Sequence, residues 1–86
     1  MEIKFINKEQ DWANETTRYW FNVDGDEYCI AHQNNDLTLD QRATINGVIF
    51  LLPIRDRKII RALVAHLNKM MRKINPNIKP IQYWGK

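Results

Sequence analysis

The side chains best suited to metal chemistry are Cys29 and His32, which stand three residues apart, as two ligands of a zinc site often do. Both fall in an alternating segment that predicts a β-strand. Residues three apart on a strand point to opposite faces, so these two side chains cannot hold one ion together. We therefore expect Cys29 to be a small buried residue and predict no metal site here.

The segment around Gly25 offers a second set of ligands, because Asn22, Asp24 and Asp26 alternate as the first ligands of a calcium loop do. Such a loop needs a glycine after its third ligand, and Glu27 occupies that position. The chain also has no nucleophile elbow, phosphate loop or dinucleotide fingerprint, and nothing selects an acid–base pair among its carboxylates. The sequence therefore predicts a protein without catalytic residues, cofactor or metal.

Charge is unevenly distributed along the chain. Residues 1–54 carry four Lys/Arg and nine Asp/Glu, whereas residues 55–86 carry nine Lys/Arg and one Asp, which together give the net charge of +3. This asymmetry predicts that the basic part, residues 55–86, contacts either an anionic partner or the acidic half of the same chain.

The first candidate for partner binding is a row of cations on one face of a predicted helix, called here the basic stripe. Such a row can follow a phosphate backbone, although it lacks the Asn, Gln or Ser side chains that read base edges. The simpler alternative is a solvated helix face. The basic stripe comprises Lys58, Arg61, Lys69, Arg72 and Lys73.

Two further groups are candidates. Asp24, Asp26 and Glu27 form an acidic tip that suits a basic groove on a protein partner, with ordinary turn chemistry as the alternative. Near the C-terminus, Tyr83 and Trp84 either pack into the core or bind a partner, where they can stack on unpaired bases.

Length and composition predict a single domain spanning residues 1–86, in which 1–54 is acidic and mainly β and 55–86 is a basic helix with an extended tail. A chain of 86 residues with 44% apolar residues can bury a small core. One cysteine excludes an internal disulfide and fits the cytoplasm. The longest apolar run, residues 48–52, is far shorter than the ~20 residues of a membrane span, and the first ten residues contain no apolar signal core. We therefore expect a cytoplasmic protein without membrane contact.

The N-terminal half predicts strands. Residues 2–6 form a short strand and residues 7–16 a polar loop. Asp24-Gly25 favours a type I′ turn between strands at 17–23 and 26–32. In the resulting register one face carries Tyr19, Phe21, Val23, Tyr28 and Ile30, and the other carries Trp20 and Cys29.

Residues 37–52 allow two interpretations. Thr38-x-x-Gln41 resembles a capping box that would start a short helix at 39–46, with Gly47 as its stop. Alternatively, Asn46-Gly47 is a second type I′ turn between residues 42–45 and 48–52. The β-branched side chains before Asn46 favour the hairpin. In both interpretations residues 48–52 form a strand that is apolar on both faces, so we expect it at the centre of the sheet.

The last element is an amphipathic helix at residues 56–74, capped by Asp56 and ended by Asn75-Pro76. His66 falls at the edge of its polar arc and is expected on the surface. We predict packing through Leu63, Leu67 and Met70. Its apolar arc comprises Ile59, Ile60, Leu63, Val64, Leu67, Met70, Met71 and Ile74.

Together these features predict an α+β fold in which an antiparallel sheet of four to five strands carries this helix on one face. The function expected is that of a small non-enzymatic inhibitor or regulator that binds a protein or ribonucleoprotein partner. The short, motif-free chain is similar in style to accessory proteins of phages and mobile elements, including anti-CRISPR and other inhibitors of host defence. The alternative is a nucleic-acid-binding module that uses the basic stripe.

Overall fold

The computed structural model describes residues 1–34 and 36–79, which form a five-stranded antiparallel sheet and one helix. Neighbouring strands in the sheet are also neighbours in the chain, so the sheet is a meander. The predicted α+β class is confirmed. The elements are β1 (Ile3–Asp11), β2 (Thr16–Val23), β3 (Asp26–Gln33), β4 (Asp36–Ile45), β5 (Val48–Pro53) and α1 (Arg57–Ile74).

The β2–β3 hairpin has the predicted turn and register. Asp24 and Gly25 take positive φ angles of 50° and 97°, as both central residues of a type I′ turn do. Val23 then pairs with Asp26, and Trp20 with Cys29. Because alternation and turn type agree, the apolar side chains of both strands share one face.

The hairpin interpretation of residues 37–52 is also confirmed, with Asn46 and Gly47 at φ angles of 52° and 78°. The predicted central position of the last strand is wrong. β5 lies at the edge of the sheet beside β4, and all six of its residues are exposed. The chain turns into α1 after Pro53, so among the described residues no further strand covers it.

The predicted loop at residues 7–16 is wrong as well, because β1 continues to Asp11. Ile6 is an extra residue in the pairing with β2, and this bulge interrupts the alternation on which the shorter prediction rests. The following turn is held by Asp11, whose Oδ2 accepts a hydrogen bond from Asn14 Nδ2 at 2.8 Å. Hydrogen bonds from Asn14 lower the pKa of this carboxyl group.

Both predicted ends of the helix are confirmed. Asp56 Oδ1 accepts a hydrogen bond from the Lys58 backbone N–H at 2.9 Å, which makes Asp56 the N-cap. At the other end, the Asn75 N–H donates to the Met71 carbonyl at 2.9 Å. Among residues 1–34 and 36–79, no helix has both the length and the apolar character needed to cross a membrane.

The core lies between α1 and one face of the sheet, called here the inner face; the opposite face is the outer face. Leu63 and Leu67 are fully buried and Met70 packs at the margin, as predicted. Burying a side chain of this size contributes roughly 1.5–3 kcal/mol. The buried cluster consists of Tyr19, Phe21, Val23, Tyr28, Ile30, Leu39, Leu63 and Leu67.

Two helix residues differ from their predicted environments. His66, expected on the surface, is half-buried, and its ring makes an edge-on contact with the Phe21 ring at a centroid distance of 5.7 Å. Its position at the border of the polar arc brings it over β2. Ile74 belongs to the apolar arc but is 86% exposed, since Met71 is the last helix residue that packs on the core.

Only the beginning of the predicted extended tail lies within the described residues. A turn follows the helix there, in which the Ile78 N–H donates to the Asn75 carbonyl at 3.1 Å. Ile81, Tyr83 and Trp84 lie outside the described residues.

Candidate functional site

The basic stripe lies on the side of α1 that faces away from the core. All five of its residues are exposed, whereas Leu63 and Leu67 on the opposite side are fully buried. At 1.5 Å of rise per residue, Lys58 and Arg72 are about 21 Å apart along the helix axis. Local amphipathicity therefore produces a long, accessible row of positive charge.

The cations of the sheet and those of the basic stripe differ in their surroundings. Three sheet cations form ion pairs, and the Lys8 ammonium lies 5.8 Å from the centroid of the Tyr19 ring. Within the described residues, no cation of the stripe pairs with a carboxylate. The acidic half therefore does not neutralise the helix. The sheet pairs are Lys4–Glu2 at 3.2 Å, Arg18–Asp11 at 3.6 Å and Arg42–Glu27 at 3.0 Å.

Helix electrostatics account for only part of the stripe. Arg72 and Lys73 lie in the last turn, where positive charge complements the helix dipole. Lys58 and the adjacent Arg57 lie in the first turn, where the dipole disfavours cations; this turn itself contains no acidic residue, and Asp56 precedes it as the N-cap. Arg72 and Lys73 therefore stabilise α1 through its dipole, whereas Lys58 does not.

The carboxylates of the acidic tip are largely occupied by contacts within the chain. Asp24 Oδ1 accepts a hydrogen bond from the Glu2 backbone N–H at 3.0 Å, which attaches the N-terminus to the β2–β3 turn. Glu27 Oε2 binds Arg42 Nη1 at 3.0 Å. Asp26 is exposed, and its charge acts on the buried Tyr28, whose pKa is raised chiefly by burial and further by the nearby carboxylates. Two of the three tip residues therefore have structural tasks.

The outer face is closed by its own side chains at the central strands. Cys29 is 1% exposed, and burial raises the pKa of its thiol to about 11. The Arg42 guanidinium lies 5.9 Å from the centroid of the Trp20 ring, and Trp20 Nε1 is buried without a hydrogen-bond partner among the described residues. Burial also raises the pKa of Asp40, which pairs with Cys29 across the sheet. The prediction that Cys29 is a small buried residue is confirmed.

The predicted aromatic pair, Tyr83 and Trp84, lies outside the described residues. Among the residues that are described, Trp12 is the most exposed aromatic side chain, at 82%, and it lies in the turn between β1 and β2. Trp12 is far in sequence from the cations of the stripe. The only sequence feature that sets it apart is that it is the single large apolar residue in a polar segment.

The most extensive apolar surface that the sequence-based candidates omit is the β4–β5 hairpin. Pairing of β3 with β4 stops at Tyr28 and Gln41, whereas pairing of β4 with β5 continues to Ile45 and Val48. The end of the hairpin therefore projects beyond β3. Its large apolar residues are between 44% and 54% exposed: Ile45, Val48, Ile49, Phe50, Leu51 and Leu52.

A shallow groove of about 440 Å³ lies where this hairpin meets the start of α1. Both apolar and polar side chains line it, including the charged residues Arg55 and Asp56. Leu52 of β5 is one of its lining residues, so the groove adjoins the apolar inner face of that strand. The groove is lined by Tyr28, Gln41, Leu52, Pro53, Ile54, Arg55, Asp56 and Ile59.

Within residues 1–34 and 36–79, no three His, Cys, Asp or Glu side chains come close enough to hold a metal ion. Comparison with known proteins adds no assignment: no family model matches the chain, and no curated protein and no solved structure gives a match. The class that the geometry defines is a small α+β protein with a cationic helix face and an apolar sheet edge.

Proposed function

We propose that this protein is a non-enzymatic inhibitor or regulator whose basic stripe binds an anionic surface of a protein or ribonucleoprotein partner. One observation carries the proposal: the stripe is exposed and forms no ion pair with residues 1–34 and 36–79, although the N-terminal half of the same chain contains an excess of acidic residues. The sheet cations, by contrast, are engaged with neighbouring groups.

The position of Lys58 supports a role for the stripe beyond helix stability. A cation in the first turn opposes the helix dipole, so its presence there costs a little stability. Across an interface with an anionic partner, the same charge accelerates encounter and orients the complex. The acidic tip is a weaker candidate, because Asp24 and Glu27 hold parts of the fold together.

The second candidate function is direct binding of a nucleic-acid backbone. The spacing of the stripe favours it, since cations distributed over about 21 Å of helix can contact several phosphates in a row. The stripe offers Lys and Arg but no Asn, Gln or Ser at its named positions, so binding would be independent of sequence.

A charge reversal tests both candidates. Arg61→Glu with Lys69→Glu should abolish capture of the native partner, while far-UV circular dichroism and the melting temperature remain nearly unchanged, because exposed charges contribute only about 0–1 kcal/mol per pair. The matched control is Lys4→Glu with Lys8→Glu in β1, which changes net charge by the same amount outside the stripe. The control should retain binding.

Capture from host lysate, with and without nuclease, separates the two candidates. Nuclease-resistant capture of a defined partner that is lost only in the stripe variant supports the first. Capture that disappears with nuclease, together with gel shifts of random-sequence DNA or RNA that weaken steeply with salt, supports the second. If the stripe variant and the control bind alike, the stripe is a solvated helix face and both proposals fail.

A further inference from the structure

β5 is an edge strand that is both uncharged and apolar on its two faces, a combination that monomeric proteins rarely leave exposed. Val48–Pro53 contains no charged residue, and its large side chains on both faces of the sheet remain about half exposed. The opposite edge, β1, carries charges and a bulge, which are common protections against edge pairing. Contiguous apolar patches above a few hundred Å² usually mark an interaction site.

The register of the hairpin identifies which backbone groups of β5 are free to pair. Ile45 and Val48 flank a two-residue turn and therefore form a hydrogen-bonded pair, after which bonded and non-bonded pairs alternate along the ladder. Ile49 and Leu51 occupy non-bonded positions relative to β4, so their N–H and C=O groups point outward from the sheet. Pro53, which has no N–H, is the next outward position and ends the series.

We propose that the β5 edge pairs with β5 of a second copy of this chain in antiparallel orientation, forming one continuous ten-stranded sheet. A twofold axis at Phe50 places Ile49 opposite Leu51 of the second copy. This register engages the outward N–H and C=O of both residues in both copies, which gives four hydrogen bonds. It also brings the Phe50 side chains together on the inner face.

The segment itself favours a second copy over an unrelated strand. In this register apolar residues meet apolar residues on both faces and no like charges are opposed, so the strand is complementary to itself, as a closed twofold dimer requires. The five large side chains of β5 are between 44% and 54% exposed, and pairing brings the flanks of these side chains in the two copies into contact. The fully buried residues of α1, Leu63 and Leu67, pack in the cluster of Phe21 and Ile30, which contains no residue of β5.

Pairing of the β5 edges does not depend on the partner of the basic stripe, but it determines how two stripes are arranged in the dimer. A twofold axis perpendicular to the sheet keeps the inner faces of both copies on the same side. The dimer therefore carries both helices on one face.

The first test is the mass in solution, measured by light scattering and sedimentation. The wild-type chain should have the mass of a dimer. Leu51→Pro removes an outward donor without changing charge or the bonds to β4, and Ile49→Lys with Leu51→Lys adds repulsion; both should have the mass of a monomer with a folded circular dichroism spectrum. Ile6→Lys with Asn7→Lys, which adds the same charge to β1, should remain dimeric.

Single cysteines test the register. Opposed non-bonded residues have Cα atoms about 4.5 Å apart, so Phe50→Cys should form an intermolecular disulfide under mild oxidation. Val48→Cys should not, because it lies opposite Leu52 of the second copy and its own counterpart is roughly 13 Å away along the strand. The buried Cys29 is common to both variants and does not distinguish them.

Three results overturn the proposal. If the wild-type chain is a monomer at every accessible concentration, β5 does not pair with a second copy. A dimer that persists in both folded β5 variants would place the interface elsewhere. Disulfide formation by Val48→Cys but not by Phe50→Cys would exclude the twofold axis at Phe50.

Discussion

The two edges of the sheet have opposite characters. β1 carries Lys4, Lys8, Glu9 and Asp11, and its pairing with β2 is interrupted by a bulge at Ile6. β5 has no charge and no bulge, and its residues are exposed on both faces. Charges and bulges keep an edge from pairing with other chains. The contrast indicates that β1 terminates the sheet, whereas the sequence of β5 is explained by a contact outside the chain.

The two edges also differ in their connection to the core. Phe5 of β1 contacts Phe21 with a ring-centroid distance of 5.6 Å, and Ile3 packs against the buried cluster. Of the β4 and β5 residues, Leu39 belongs to the cluster and Leu37 packs on it, whereas the projecting end of the hairpin does not. Stability should therefore depend on β1, β2, β3 and α1 more than on the end of the β4–β5 hairpin.

The largest effect should come from the core beneath the helix. Leu67→Ala removes a fully buried side chain and should lower the free energy of unfolding by about 2–5 kcal/mol, measured by denaturant titration. The matched control is Ile74→Ala in the same helix, which alters an exposed side chain and should change stability by less than ~0.5 kcal/mol. If Leu67→Ala leaves the denaturant midpoint unchanged, the packing of α1 on the sheet does not stabilise the fold as expected.

Substitutions in the two type I′ turns should have smaller effects on stability, and these effects should differ between the turns. Gly25 and Gly47 have positive φ angles, and the space that a Cβ atom would occupy is open at both, so a valine at either site is strained by the backbone alone, at about 1–3 kcal/mol. Gly25→Val strains the β2–β3 hairpin at the core and should lower the global melting temperature.

Gly47→Val applies the same strain to the end of the projecting hairpin. This change should fray residues near the turn and lower the global melting temperature less than Gly25→Val does. Thermal melts of both variants, measured at a concentration low enough to give monomers, provide the comparison. Equal losses would show that the β4–β5 hairpin belongs to the same cooperative unit as the core.

The sequence predicts those parts of the fold in which local and tertiary signals agree. Asp24-Gly25 and Asn46-Gly47 specify turns whose registers follow from geometry, and Asp56 with Asn75-Pro76 delimits the helix. The length of β1 could not be predicted by alternation, because the bulge at Ile6 changes the phase and an edge strand tolerates polar residues on both faces.

The hydrophobic pattern alone could not predict the position of β5 in the sheet. A strand that is apolar on both faces is usually covered on both faces, and the pattern does not specify whether the cover comes from the same chain. Chain order contains the missing signal: in a meander the last strand is an edge, and residues 54–56 lead directly into the helix. Exposure of the basic stripe was predictable from the helical wheel, whereas the absence of ion pairs between the stripe and the carboxylates of residues 1–34 and 36–79 depends on tertiary structure.

The smallest effect concerns the outer face, where Cys29 is sealed by neighbouring side chains while Ile49 and Leu51 are open. Burial raises the pKa of the Cys29 thiol from 9.0 to about 11, so between these values the thiol is ionised in the unfolded chain and protonated in the native one. Raising the pH through this window therefore releases more protons from the unfolded state and lowers the stability of the fold. Cys29→Ala removes this thiol titration, so the melting temperature of wild type should fall relative to that of the variant as the pH rises from 8.5 to 11. Burial also raises the pKa values of Tyr19 and Tyr28, but both proteins contain these two residues, so their contribution to the difference cancels. A constant difference across that range would show that solvent reaches Cys29, and that the outer face is as open at the central strands as it is at β5.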